Sequence, residues 1–402
     1  MKKILSLILL LASIGAAESL LDPINDLGYG TVKLRAQTLS MYRDYEGVAG
    51  AANVGNGYST TLGWKLDYLS PEWEGLSAGL SLIHVDVLHT AGGRYGSNGE
   101  ALLSNGNVNE LNELWLKYNF GALGLSNTFV KVGRQVLNTE VLRADAFRQK
   151  PRAFEAAILV TKDIPDTTLI VGHAERLSNV WDNETSWKYK DIEDVLGSKE
   201  STRGVTWVEA VYTGITNLEI AAYDAYAHDV ANIAGGRIKY TLSENTAING
   251  YYRHETDVGS GADHSSDMFG ASIQQKIGGI TLEPGFLSIG GDTLAFSEAG
   301  TGINHPLGSS MMIYAGQFNG GADTYYLKAT TRIEDTILYA LYNYTTHDTT
   351  AFEGQELNVV AKQIVNEHLS VALKVGVGYR DGKSATDDTF ASDTRLFVTY
   401  NF

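Results

Sequence analysis

The sequence predicts an all-β fold, a transmembrane antiparallel β-barrel of about 18 strands with short periplasmic turns and long extracellular loops. Three observations lead to this prediction. Apolar and polar residues alternate with a period of two in segments of about 10–13 residues. A cluster of turn residues follows each segment, and the connections are alternately short and long. The chain also begins with an export signal.

Residues 1–17 have the three parts of a cleavable signal peptide. Two lysines precede an apolar region, residues 4–14, which is followed by a small-residue cleavage site. The apolar region is too short to cross a bilayer as a helix, which needs roughly 20 residues. We therefore expect export through the inner membrane, Glu18 as the first mature residue, and a single barrel domain over residues 18–402.

The composition excludes several kinds of partner and site. The formal net charge is -16, so this strongly acidic chain is not expected to bind nucleic acid. The sequence has no cysteine, which excludes disulfides and thiol chemistry. No motif indicates a metal or another cofactor, and none is expected. The expected partners are outer-membrane lipid and small hydrophilic solutes.

The predicted strands follow one another from residue 31 almost without interruption. Each has an apolar face and a face of polar or small residues. In 367–380, for example, leucines and valines form one face and Lys374 belongs to the other. An open sheet edge cannot be left in hydrocarbon, so the strands must close, and an even number places both termini in the periplasm. The predicted strands are 31–43, 58–69, 75–88, 110–120, 127–137, 152–163, 166–177, 204–214, 217–228, 231–242, 245–256, 266–277, 279–290, 322–332, 335–346, 354–364, 367–380 and 391–402.

Two of these strands lack a clean alternation. In 204–214 and 217–228 apolar residues occupy both faces, and Glu209 and Asp224 do not fit the phase of their neighbours. Two explanations stay open: register shifts or β-bulges, or tyrosines and alanines that face the interior.

The interior of the predicted barrel is rich in basic residues, because the face opposite each clear apolar face must line the lumen. Rings of lysine and arginine attract anions through a pore, which predicts a preference for anionic solutes. The alternative is that the wall cations pair with acidic residues and confer no selectivity. The predicted basic wall is Lys33, Arg35, Lys65, Lys117, Arg237, Lys239, Arg253, Lys328, Arg332, Lys374, Arg380 and Arg395, with Asp67, Glu113, Glu283 and Asp393 on the same side.

The third long connection, residues 138–151, mixes charged and large apolar residues. This mixture favours a loop that folds into the lumen, narrows the channel and sets its selectivity. An exposed surface loop is the alternative. The glycine-rich stretch 290–321 is a second candidate for a loop that lines the lumen. The predicted constriction residues in the third loop are Glu140, Arg143, Asp145, Arg148 and Lys150.

Three short segments carry a resemblance to a known family: residues 63–68, residues 132–137, and Asp145-x-x-Arg148-x-x-Pro151. With these segments the chain resembles the OprD-type family of substrate-selective outer-membrane porins. The resemblance implies an eighteen-stranded barrel, a constriction formed by the third and seventh loops, and a ladder of basic residues that guides carboxylate-bearing solutes. It also implies that Arg134 belongs to the constriction.

Two departures from the family pattern are Glu140, where proline is expected, and Ala156, where glycine is expected. The terminal residue, Phe402, is similar to the ending that the barrel-assembly machinery recognises as an assembly signal.

The sequence also bears on functions other than that of an anion-selective porin. No G-x-S-x-G nucleophile motif, H-E-x-x-H motif or cysteine–histidine metal pattern accompanies the histidines, so the chain is not expected to be an enzyme. A sugar-specific porin would need a slide of stacked aromatic residues in the lumen. An adhesin role for the long loops stays open, as does the choice between a monomer and a homotrimer. The candidate slide residues are Trp115, Tyr251, Tyr326 and Tyr339.

Overall fold

The computed structural model describes most of the chain as one antiparallel sheet. The predicted signal peptide and Glu18 lie outside the described residues. Within the described ranges, no helix is long and apolar enough to cross a membrane. The described residues are 25–46, 57–91, 107–144, 148–180, 189–192, 203–259, 263–294, 319–348, 352–382 and 389–402.

Eighteen long strands and one two-residue strand form the sheet. The strands are β1 Thr31–Glu46, β2 Gly57–Leu69, β3 Leu76–Ala91, β4 Val108–Asn119, β5 Thr128–Gln135, β6 Ala153–Thr161, β7 Thr167–Ser178, β8 Lys190–Asp191, β9 Val205–Ile215, β10 Leu218–Ala227, β11 Ala231–Ser243, β12 Thr246–Asp257, β13 Ser265–Ile277, β14 Ile280–Gly291, β15 Ala322–Ile333, β16 Thr336–His347, β17 Phe352–Ile364, β18 Leu369–Gly382 and β19 Thr389–Asn401.

The sheet closes on itself into a barrel. Each long strand pairs with the next along the chain, and β7 pairs with both β8 and β9. The last strand, β19, pairs with β1 from Arg35 opposite Asn401 upward. The predicted eighteen-stranded barrel is therefore confirmed, and no predicted strand end is more than three residues from the observed one.

The two ends of the barrel differ in their connections. At one end, which we call the turn end, the chain reverses in short turns such as the one between β9 and β10, where Asn217 has φ 64°. Asparagine tolerates this left-handed conformation better than most residues, which suits a tight hairpin. The opposite loop end carries the long connections, except for the three-residue link between β10 and β11.

The two faces of the sheet differ in polarity. Leu114, Leu116 and Val132 on the outer face are at least half exposed, as lipid-facing side chains must be in the absence of lipid. Buried polar side chains such as Ser59 and Thr61 on β2 and Glu110 on β4 face inward. The period of two in the sequence thus separates a lipid-facing surface from a polar lumen.

The two irregular strands, β9 and β10, have a structural explanation. Trp207, Tyr223 and Ala225 face inward and are buried in one apolar cluster with a loop from elsewhere in the chain. Glu209 also faces inward, whereas Asp224 is on the exposed outer face. A register shift is present only near Leu218, at the turn end of these strands. The apolar inner face exists because a loop packs against it.

Candidate functional site in the barrel lumen

The third long connection, which we call L3, joins β5 to β6 and is described at residues 136–144 and 148–152. Its apolar side chains Leu137, Val141 and Leu142 are buried against the inner face of β6, β7 and β9–β11. Complete burial of a valine or leucine side chain stabilises by about 1.5–3 kcal/mol. This packing holds the first half of L3 inside the barrel. The wall residues of the cluster include Phe154, Ala156, Ile158, Leu177, Val205, Trp207, Tyr223 and Ile233.

A charged tether adds to this apolar contact. The Glu140 carboxylate lies 3.0 Å from Nε of Arg237, which also pairs with Glu219. The backbone N–H of Glu140 donates a hydrogen bond to the Glu209 carboxylate at 2.7 Å. Glu140 thus attaches the loop to β9 and β11, instead of facing a passing solute.

The second half of L3 is attached to other strands. The ammonium group of Lys150 is fully buried and lies 2.7 Å from Oε2 of Glu110 on β4. It also hydrogen-bonds Ser178 on β7. Arg152 donates to Asn179 at 3.0 Å and to the backbone oxygen of Arg143 at 3.1 Å. L3 therefore crosses the lumen between two fixed ends.

A cavity of about 400 Å³ lies between L3 and the wall formed by β1, β2 and β17–β19. We call it the basic cavity. Its polar lining includes the amides of Gln37 and Gln149. The cations that define it are Arg35, Lys65, Arg148, Lys362 and Lys374.

The cations of this cavity differ in their partners. Lys65 pairs with Asp67 at 2.8 Å. In the part of the chain that the structure describes, no carboxylate forms an ion pair with Arg35, Lys362 or Lys374. Lys374 lies instead 5.2 Å from the centre of the Phe397 ring, within cation–π range. Three positive charges thus face the lumen without a paired acid among the residues that the structure describes.

A second wall of the lumen, formed by β11–β15, carries cations with acidic partners. Lys328 lies 3.0 Å from Glu283, and Arg253 is fully buried beside Glu255. Together with the Arg237 tether, these contacts pair three cations of that wall with carboxylates, whereas Lys239, nearer the turn end, forms no ion pair among the described residues. We call it the paired wall. Near β1 and β19, Arg43 and Arg395 both pair with Asp393, at 2.7 and 2.8 Å.

Arg134 is the clearest correction to the sequence-based assignment. Its partner across the strands, Glu155, alternates with Phe154 and Ala156, both of which are buried in the inner apolar cluster. Arg134 and Glu155 therefore lie on the outer face, where they pair at 2.9 Å. Arg134 belongs to the outer surface near the loop end and not to the constriction.

The other predicted site residues are distributed around the lumen. Arg148 and Arg143 lie in L3, with Arg148 buried at the basic cavity, while Asp145 is outside the described residues. Arg332 lies at the turn end, where it donates to the backbone oxygen of Glu334 at 2.9 Å, so it does not extend the basic wall. Alternation places the rest of the predicted wall on the inner face, namely Lys33, Lys65, Lys117, Lys239, Arg380 and Arg395 together with the cations already described.

The candidate aromatic slide does not form on one wall. Trp115 is on β4, where the ammonium group of Lys131 lies 4.2 Å from its ring centre. Tyr251, Tyr326 and Tyr339 are on β12, β15 and β16 of the opposite part of the barrel. The four rings therefore do not form one continuous track.

Several contributing residues were not anticipated from the sequence. Tyr189, in the loop that follows β7, donates from its hydroxyl group to the backbone oxygen of Asn112 at 2.5 Å, and its burial raises the pKa of its phenol. Glu110 and Gln149 both hold the second half of L3. Neither a strand-end glutamate nor a neutral glutamine between two cations gives a distinctive signal in the sequence.

Comparisons with known proteins agree with this geometry. The family described as outer membrane porin, OprD family, matches residues 77–328, more than half of the chain. The chain belongs to the OprD family. Its members are outer-membrane porins, so the outer apolar face contacts membrane lipid and the lumen passes small solutes. The turn end is then periplasmic and the loop end extracellular.

Solved porin structures share the fold at low sequence identity. Pseudomonas aeruginosa OpdK, solved with vanillate, is 15% identical with a TM-score of 0.74 over 92% of this chain and 98% of that one. A BenF-like porin from Pseudomonas fluorescens Pf-5 is 17% identical with a TM-score of 0.73, over 93% of this chain and 98% of that one. Pseudomonas aeruginosa OpdO is 14% identical with a TM-score of 0.71, over 96% and 99%. No curated protein sequence matches significantly.

Proposed function

We propose that this OprD-family porin is a passive diffusion channel with a preference for small hydrophilic solutes that carry a carboxylate. The observation that supports this preference is the basic cavity beside L3. There Arg35, Lys362 and Lys374 face the lumen without a paired acid in the described residues.

The physical argument concerns unpaired charge and not the number of cations. A unit charge about 4 Å from a passing ion contributes about 1 kcal/mol in water, and more where the walls lower the local dielectric constant. Each unpaired cation can thus favour an anion over a neutral solute by about fivefold. A cation that already pairs with a carboxylate has most of its field cancelled. The basic cavity therefore dominates the selectivity of the lumen.

The position of L3 directs solutes to this cavity. Because L3 is fixed to β9–β11 at one end and to β1, β2 and β4 at the other, a solute must pass beside it. The related OpdK was solved with vanillate, a benzoate-type carboxylate. That aromatic acid is the solute class we propose for this chain, with guanidinium and ammonium groups that bind its carboxylate.

The reversal potential of single channels in a KCl gradient tests the charge preference. Protein refolded into a planar bilayer is expected to give stable ohmic steps with chloride more permeant than potassium. Cation preference would overturn the role of the basic cavity while leaving the channel intact. Absence of conductance from a folded barrel would overturn the channel itself and favour an adhesin or an enzyme.

Export and assembly are part of the same proposal. The predicted signal peptide, residues 1–17, gives a mature chain that begins at Glu18, and mass spectrometry of the purified protein tests this cleavage.

The C-terminal Phe402 is the proposed assembly signal. Its ring packs on the outer face near Trp64 and Tyr400, and its backbone N–H donates to Leu34 at 2.9 Å. Deletion of Phe402 is expected to lower the amount of heat-resistant folded barrel in the outer membrane.

A further inference from the structure

Gln149 is a buried amide at the point where L3 meets the barrel wall. Its side-chain Nε2 donates to the backbone oxygen of Gln37 at 3.1 Å and to the Thr61 hydroxyl at 2.9 Å. Its Oε1 accepts a hydrogen bond from Nε2 of Gln37 at 3.1 Å. Gln149 is only 2% exposed. All of these bonds join L3 to the neighbouring strands β1 and β2.

A glycine on β2 makes room for this amide. A Cβ atom at Gly63 would lie 2.5 Å from Oε1 and 3.0 Å from Cδ of Gln149, closer than side-chain contacts allow. Gly63 does not have a positive φ, so the backbone conformation does not require glycine there. The requirement is space for one specific side chain.

The backbone next to this amide is also fixed by β1. Arg35 donates to the backbone oxygen of Gln149 at 3.2 Å, and Gln37 donates to that of Arg148 at 3.4 Å. Arg35 and Arg148 are two of the cations of the basic cavity. The position of Gln149 on β1 and β2 therefore determines where the guanidinium groups of Arg35 and Arg148 can lie.

The other contacts of this part of L3 do not duplicate this one, because Arg152 donates to Asn179 just beyond β7. Lys150 points away to Glu110 on β4 and Ser178 on β7. A loop held only through Lys150 and Arg152 would be attached on the side of β4 and β7 alone, and its Arg148 could move out of the basic cavity. Contacts on both sides of the loop fix its orientation.

We propose that Gln149, seated against Gly63, is a positioning residue that holds the second half of L3 on β1 and β2 and so orients Arg35 and Arg148 in the basic cavity. Its consequence for selectivity rests on the proposed function, whereas its consequence for loop geometry does not. The contact has two members, and each can be removed separately.

The test compares Gly63→Ala, Gln149→Ala and the double variant with Gly290→Ala. Gly290 is a strand glycine at which an added Cβ would meet nothing within 4 Å, so it controls for the loss of a glycine. Both single variants are expected to lower the chloride-to-potassium permeability ratio at least twofold and to increase open-channel current noise. The double variant is expected to be no worse than the worse single variant, because both changes remove the same contact.

A distance measurement separates loop position from ion selectivity. The chain has no cysteine, so spin labels attached after Ser70→Cys and Pro151→Cys are the only ones in the protein. The distribution of distances between them is expected to be narrow in the parent and in Gly290→Ala, and to broaden in Gly63→Ala and Gln149→Ala. Equal, narrow distributions in all four proteins would overturn the proposal. If the distributions broaden but the permeability ratio does not change, the loop is positioned as proposed and the proposed selectivity is wrong.

Discussion

The two walls of the lumen carry similar numbers of cations but present different electric fields. On the paired wall, Lys328 and Arg253 each contact a carboxylate. In the basic cavity, Lys362 and Lys374 have no such partner among the described residues. The difference teaches that a list of inward-facing lysines and arginines does not by itself predict anion selectivity. What matters is which of them keep a net charge.

Removing one member of the most buried pair should have the largest effect, and it acts on stability. Arg253→Met leaves Glu255 as a buried charge without its arginine. Breaking a buried pair costs about 3–5 kcal/mol, and the loss should be largest at pH 9, where His264, 3.0 Å from Glu255, no longer offsets it with a positive charge. Arg332→Met is the control, because its pair with Asp335 is exposed and 3.8 Å long, and such pairs contribute about 1 kcal/mol or less. Urea unfolding of the refolded barrels measures both, and equal losses would contradict the distinction.

Neutralising the unpaired cations should have the next largest effect, on selectivity. Lys362→Gln with Lys374→Gln removes two charges from the basic cavity and is expected to lower the chloride-to-potassium permeability ratio about fivefold or more. Reversal potentials in a KCl gradient measure this ratio. Lys162→Gln, in the turn that follows β6, makes the same chemical change at a lysine that does not line the basic cavity and should leave the ratio at the parent value.

Creating an unpaired cation on the paired wall should shift selectivity in the opposite direction. Glu283→Gln releases Lys328 from its pair, so this variant is expected to be about twofold to fivefold more chloride-selective than the parent. The same reversal-potential measurement applies. The change must keep the hydrogen bond from Gln274, which a glutamine side chain can still accept. An unchanged ratio would show that the pair does not cancel the field of Lys328.

The smallest effect concerns pH at the loop end of the paired wall. His264 hydrogen-bonds Glu255 at 3.0 Å, which raises the pKa of its imidazole, and Asp292 lies 3.8 Å away. Since the pKa is raised on folding, this contact stabilises fully below the unfolded value near 6.5, and the stabilisation is lost as the pH rises through the folded pKa. The melting temperature of His264→Gln should therefore lie further below that of the parent at pH 5.5 than at pH 9. A difference that is independent of pH would contradict this contribution.

The fold could be predicted because a barrel imposes its period of two on every strand. The alternation around Lys374 predicts the two faces of its strand directly, whereas the two-residue strand β8 is too short to produce a pattern. The irregular strands β9 and β10 were informative as well. Their inner faces are apolar, with Trp207 and Tyr223, because a loop packs against them inside the barrel. Apolar residues on both faces of a barrel strand thus indicate such a loop in the sequence.

The site was harder to predict, because pairing depends on the distance between strands far apart in sequence. Nothing near Lys328 or Lys374 in the sequence indicates that the first has an acidic partner and that the second has none in the described ranges. Arg134 is a different case, since it was assigned to the constriction by resemblance. It lies three positions after Lys131, so simple alternation already places the two residues on opposite faces. Alternation should have taken precedence over the motif.

The most direct test of the central claim compares the flux of benzoate with that of benzamide, which has nearly the same shape and no charge. Fluxes into proteoliposomes would be measured for the parent and for Lys362→Gln with Lys374→Gln. We predict that benzoate passes several times faster than benzamide through the parent and that the double variant removes most of this preference without slowing benzamide. Equal fluxes of the two solutes through the parent, or a benzoate preference that survives in the double variant, would contradict the account.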